Sequence, residues 1–213
     1  LRARQEVQAD CSHRHVWMAQ PQAMRAMLER KVEFLPPAYR TALGFHFGLH
    51  ALEPQMEFQQ ELRALGGLVS AELFCPAERH LNDDEMSALL GAADIFSLNI
   101  YEARSLFGGQ ASPLEMARAL MEFMPADGEG IVSLRMGAEG SLVARRGVER
   151  AVRIPAVDVA VIDPVGAGNA YCGAFLAGWA RTRDLAQAGL MGAVAASFLI
   201  EQTGCPPKLD NNT

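Results

Sequence analysis

The chain has 213 residues, half of them hydrophobic and 21% charged. That is enough apolar material for the core of one large or two small domains, and it excludes a disordered chain or a disulfide-stapled miniprotein. A formal net charge of −6 without any basic block argues against nucleic acid or an anionic membrane as a partner.

The longest apolar run, residues 189–200, falls short of the ~20 residues a membrane-spanning helix needs. The first residue is Leu1 and no signal peptide precedes the folded pattern. Whether the chain is whole or a portion of something longer is left open. The four cysteines, Cys11, Cys75, Cys172 and Cys205, lie far apart with no C-x-x-C pair. Zinc of the usual ligand spacing is therefore not expected, and reduced thiols in a cytoplasmic setting are. Cys11, His13 and His15 form a C-x-H-x-H cluster, but with no second ligand group an exposed N-terminal segment is the plainer reading. His46 and His50 are four apart, yet their context reads as a strand running into a loop, not one helix face.

In chain order, residues 1–40 read as irregular, with a short helix over Gln22–Lys31 and a stop at Pro36-Pro37. Strand and helix patterns then alternate. Thr41–Phe47 reads as a strand. Gln55–Leu65 reads as an amphipathic helix ended by Gly66-Gly67, and Leu68–Phe74 as a strand. A helix capped by Asp83 follows, then a strand over Asp94–Leu98. Asn99 starts a helix to Phe107, and Ser112-Pro113-Leu114-Glu115 announces another to about Phe123. Beyond it, Ile131–Arg135, Ser141–Arg145, Glu149–Ile154 and Val159–Ile162 read as strands between glycine turns. Helices over Ala167–Arg181 and Asp184–Glu201 close the chain. This predicts an α/β domain with a mostly parallel sheet flanked by helices and an antiparallel edge.

The segment that carries chemistry is Asp163-Pro164-Val165-Gly166-Ala167-Gly168-Asn169, between a predicted strand and a long apolar helix. Small residues let the backbone approach a ligand closely, and the first N–H groups of a helix point outward unsatisfied. The helix dipole favours negative charge there, so a phosphate is the natural guest. The same small residues would also suit close packing of the helix on the sheet.

DPVGAGNAYCGAFLAGW resembles the second signature, D-T-x-G-A-G-D-x-F, of the ribokinase-like (PfkB-type) carbohydrate kinases. Three further stretches match in the right order. FSLNIYEA resembles the family's N-x-x-E motif, and IVSLRMGAEGSL its T-x-G-x-x-G strand and turn. Val152–Val161, with Pro155 inside, resembles the strand pair before the signature. The resemblance covers about residues 41–205. It implies a ribokinase-like domain over 41–213 that binds ATP and magnesium and phosphorylates a hydroxyl of a small sugar or nucleoside.

Residue by residue, the resemblance puts the family's Asp general base at Asn169, an amide that cannot take up a proton at neutral pH. General-base catalysis is worth ~10²–10⁴-fold, so this departure strikes the chemical step. Gly166, Ala167 and Gly168 keep the anion hole. Asn99 and Glu102 match the motif that organises magnesium, although N-x-x-E is also helix-capping geometry in itself. Asp163 matches a monovalent-cation position in some members, with Pro164 in place of the usual Thr; its local role would be to turn the strand into the loop. Gly137 and Gly140 would shape the turn beside the nucleotide, and Gly204 would end the last helix near the adenine. Arg135 stands where Thr or Lys often occurs, and would either reach a phosphate or lie on the surface. Glu72, at a strand end, reads as a solvated loop carboxylate ahead of a phosphate-side or cation role.

Family members run longer than this chain, and neither their lid nor their Gly-Gly sugar motif is recognisable in residues 1–40. The expected partners are a nucleotide and a small sugar or nucleoside, with the phosphoryl acceptor and oligomeric state open. The leading expectation is a sugar-kinase-like protein impaired by Asn169. The alternative is a non-catalytic nucleotide- or sugar-binding pseudokinase that acts through partners.

Overall fold

Apolar residues alternate faces along each central strand, and this alternation builds two cores on one sheet. The computed structural model describes residues 30–107 and 111–204, together with the backbone of two further strands, 3–7 and 13–17. The main sheet has six strands in sequential order: β3 (Gly44–Leu49), β4 (Leu68–Leu73), β5 (Ile95–Asn99), β6 (Ile131–Arg135), β7 (Ser141–Arg145) and β8 (Val152–Ile154). From β3 to β6 each strand is parallel to its neighbour; β7 and β8 add an antiparallel edge. The ribokinase-like α/β architecture read from the sequence is therefore the one observed.

On one face, Phe96, Leu98, Val132 and Leu134 meet buried residues of the helices α2 (Asp83–Leu90), α3 (Ile100–Leu106) and α4 (Pro113–Glu122). On the other, Ile95, Ile131, Val143 and Ile154 meet Tyr171, Phe175 and Trp179 of α5 (Ala167–Thr182) and Ala188 of α6 (Leu185–Ile200). Helix α1 (Met56–Ala64) buries Gln59 and Leu62. Capping boxes start α3 at Asn99 and α4 at Ser112, as the spacing predicts. The cap of α2 is Asn82 rather than Asp83, because Glu85 lies three residues beyond Asn82 and closes the reciprocal pair.

Two expectations change. Residues 1–40 are not irregular throughout: β1 (Ala3–Val7) and β2 (His13–Trp17) pair as a separate antiparallel ribbon. Neither strand shows the apolar alternation that marks a half-buried strand. The Cys11 position and most of the expected helix over Gln22–Lys31 lie outside the described residues. Second, Val159–Ile162 forms no strand. Pro155, directly after β8, has no N–H to continue the ladder. The Ile162 and Asp163 amides instead donate to Ile200 O, and Val161 and Ile162 stand largely exposed.

Candidate functional site

Parallel strands present their carboxyl ends, and the loops that follow them, on one edge of the sheet, where ligands of open α/β sheets bind. Here that edge carries Glu72 of β4, Asn99 at the end of β5 and Arg135 at the end of β6, with Asn99 and Arg135 opposite each other in register. Above them lies the first turn of α5. Gly166 is its N-cap at φ 88, a left-handed conformation that suits glycine, and it offers no capping side chain. The first-turn N–H groups of Gly168 and Asn169 consequently have no intrahelical acceptor, and Asn169 is exposed.

Gly168 is glycine for a spatial reason. A Cβ there would overlap Arg135 Nη1 and stand 3.3 Å from its Cζ. Arg135 is thus tucked under the first turn of α5, with its side chain only 14% exposed. Its Nη2 donates to Glu72 Oε2 at 2.8 Å and lies 3.6 Å from Glu102 Oε2. Among the described residues its buried Nε has no hydrogen-bond partner. Burial opposes the Arg135 charge, but its negative neighbours, the two glutamates among them, outweigh that and raise its pKa.

Glu72 is the hub. It is buried in the strand, not solvated in a loop as the sequence suggests. Its Oε1 lies 3.3 Å from His46 Nε2, and its Oε2 accepts from Cys172 Sγ at 3.5 Å. His46 Nδ1 in turn lies 3.0 Å from Ser70 Oγ. Burial alone would raise the Glu72 carboxyl; the His46 hydrogen bond and the Arg135 charge overcome it and hold the carboxyl below its ordinary range. Burial pushes the Cys172 thiol up to about 12. Ligand atoms of His46, Glu72 and Cys172 all fall within 4.8 Å of one another. Arg135 already occupies the Glu72 carboxylate, so in this arrangement the three side chains form a cage beside its guanidinium.

Asn99 and Glu102 make the capping box in full. Asn99 Oδ1 accepts from the Tyr101 and Glu102 amides, and Glu102 Oε2 accepts from the Asn99 amide at 2.7 Å. Glu102 is also buried, and burial lifts its carboxyl to about 7 against the pull of Arg135 and the Asn99 amide. The capping role therefore coexists with a place beside Arg135.

The other sequence-derived residues hold turns around this edge. Asp163 Oδ1 accepts from the Val165 amide. Gly137 (φ +60) and Gly140 (φ +81) shape the turn after β6, closed by Met136 N to Gly140 O at 2.8 Å. Gly204 (φ +77) follows α6. The structure thus joins Gly168, Arg135, Glu102 and Asn99 directly, and adds His46, Glu72 and Cys172, which the sequence leaves outside the site.

The pfkB family carbohydrate kinase model matches residues 72–212. The chain belongs to that family. An uncharacterized sugar kinase of Archaeoglobus fulgidus is 32% identical over 158 residues, covering 74% of this chain and 58% of the relative. A nucleoside kinase of Methanocaldococcus jannaschii is 38% identical over 74 residues, 34% of this chain and 24% of the relative. The chain thus spans less than two thirds of the length of these relatives. Among solved structures, ribokinase from Thermotoga maritima superposes with a TM-score of 0.67 at 19% identity, covering 95% of this chain and 63% of that one. Aminoimidazole riboside kinase from Salmonella enterica, complexed with aminoimidazole riboside and an ATP analog, gives 0.61 at 21%, covering 76% and 57%. At those identities the structures establish the ribokinase-like fold. No helix of the described residues is long and apolar enough to cross a membrane.

Proposed function

We infer that this chain carries the nucleotide side of a small-molecule kinase whose reaction moves a phosphoryl group from ATP to a hydroxyl of a sugar or nucleoside. The observation that carries this reading is the uncapped first turn of α5 directly above buried Arg135, at the carboxyl edge of the parallel strands. Phosphoryl transfer needs little beyond positioning and charge stabilisation, which free N–H groups and a fixed cation supply.

The donor set suits both expected cofactors. The N–H groups of Gly168 and Asn169 would hold phosphate oxygens, with the turn at Gly137–Gly140 and Gly204 flanking the nucleotide. Glu102, a buried carboxylate half ionised near neutral pH, would face hydrated magnesium together with Asn99. Magnesium bound there supplies positive charge to the phosphates. Asp163 remains a candidate for a monovalent cation. Free Cys75 and Cys172 suit a reducing, cytoplasmic setting.

Asn169 sits in the first turn where the family pattern has its Asp base. It can hydrogen-bond an acceptor hydroxyl but cannot keep its proton, so turnover is slow. The same substitution favours a second reading, a pseudokinase that binds nucleotide or sugar and acts through partners. The test is ATP calorimetry with and without magnesium, plus Asn169→Asp assayed on a panel of sugars and nucleosides. Kinase ancestry predicts ATP binding and a gain of ~10²–10⁴-fold in turnover on restoring the base. ATP binding without any gain selects the pseudokinase. Absence of ATP and ADP binding at millimolar concentration overturns the kinase reading and the nucleotide-binding pseudokinase, and absence of binding to the sugar and nucleoside panel as well overturns the second reading whole.

A further inference from the structure

The sequence leaves Arg135 either reaching a phosphate or lying on the surface; the structure turns it inward, its side chain 14% exposed. Its guanidinium packs against the N-terminal turn of α5, the positive end of the helix dipole. A cation at that end of a helix is repelled by it, and Glu72 and Glu102 offset the repulsion from one side only, at 2.8 and 3.6 Å from Nη2. Nε remains buried with no acceptor among the described residues. Buried polar groups are almost always satisfied, and an orphaned donor on a charged group marks a place where an acceptor belongs. Glu72 does not supply that acceptor: one oxygen faces His46 and the other already takes Arg135 Nη2 and Cys172 Sγ. Two like charges, a guanidinium and a helix N-terminus, thus converge on one spot with a donor to spare.

We propose that Arg135 is a phosphate-binding residue of this site, donating to the terminal phosphoryl oxygens lodged at the start of α5. Glu72, backed by His46 and Cys172, is the positioning residue that holds the guanidinium under the loop. This rests on the phosphate-binding reading of the preceding subsection and adds a charged side-chain ligand to what the backbone offers. The ligand class is a polyphosphate ending in a free phosphoryl group. Arg135 would therefore discriminate ATP from adenosine, and Gly168 is the residue that makes room for it.

The test is calorimetry with ATP, adenosine and inorganic tripolyphosphate on the wild type, Arg135→Met, Arg135→Lys and Glu72→Gln. Arg135→Met is expected to weaken ATP and tripolyphosphate at least tenfold while adenosine affinity stays unchanged. Arg135→Lys recovers part of the loss, and Glu72→Gln gives a smaller loss of the same pattern. Equal tripolyphosphate affinity in wild type and a folded Arg135→Met overturns the assignment and leaves ATP binding standing. A wild type that binds neither ATP nor tripolyphosphate overturns the phosphate reading together with this one. Should Arg135→Met not fold, the Arg135 Nε–H proton resonance of the wild type decides. It is identified by its loss in Arg135→Lys. It shifts on titration with tripolyphosphate if Arg135 is a ligand, and an unmoved resonance in a protein that binds tripolyphosphate refutes the assignment.

Discussion

Replacing Gly168 by alanine tests the packing of Arg135 without touching any charge. Intrinsic propensity says the change helps, because alanine in a helix interior is favoured over glycine by about 1 kcal/mol. Space says the opposite. The new Cβ would occupy the position of Arg135 Nη1 and press on Cζ at 3.3 Å, and Arg135, 14% exposed and held by Glu72 at 2.8 Å, has little room to yield. Displacing it breaks a buried ion pair, for which about 3–5 kcal/mol is typical when one partner is lost. Against the propensity gain, the net cost is about 2–4 kcal/mol. At about 2–4 °C per kcal/mol for a domain of this size, the melting temperature should fall by roughly 5–15 °C. Gly173, in the same helix with nothing within 4 Å of its added Cβ, is the control; Gly173→Ala should stabilise by about 1 kcal/mol. Thermal and urea denaturation followed by circular dichroism measure the melting temperature and the free-energy change of both variants. If Gly168→Ala behaves like Gly173→Ala, the guanidinium does not lie under the loop and the reasoning fails.

Two further outcomes follow from the same geometry. Glu102 has its carboxyl raised from 4.5 to about 7 on folding, so its contribution is complete below pH 4.5 and is lost as pH rises through 7. Glu102→Gln should therefore gain up to about 3 kcal/mol over the wild type at pH 8 and lose that advantage near pH 4, read from denaturation curves at the two values. Gly140→Ala combines a left-handed φ of +81 with a Cβ that overlaps Ile154 O and stands 2.8 Å from the Ala156 amide. It should cost at least about 2 kcal/mol and speed amide exchange selectively in β8, while β4 and β5 stay protected.

The order of elements was legible because each central element carries a local signal. Capping boxes at Asn99 and Ser112 and short apolar runs between glycine turns placed α3, α4, β5, β6 and β7 within a residue or two. The turn into α5 was legible in part, as small residues and a helix start adjacent in sequence, although the strand expected before it does not form. The cage beneath it was not. Glu72 and Arg135 are 63 residues apart, and Glu72 and His46 are 26 apart. They meet only because parallel pairing sets three strand ends side by side and one face of each strand toward α5. No periodicity within a single segment encodes that register. The misread strand at Val159–Ile162 shows the converse: an apolar run satisfies the local pattern, yet Pro155 and the carbonyl of Ile200 divert it from the ladder.

Under α5 the sheet presents hydroxyls, and Tyr171 is threaded into them, its phenol oxygen 3.0 Å from Ser133 Oγ and 2.8 Å from Ser141 Oγ. Burial raises its pKa, whereas the chain's other two tyrosines, Tyr39 and Tyr101, are exposed. Alkaline ultraviolet titration therefore carries a late phase from Tyr171, displaced above the ordinary tyrosine range. The late phase reports whether the α5 helix is still seated on the junction between the parallel strands and the antiparallel edge. The protein thus carries its own optical gauge of the surface on which α5 stands.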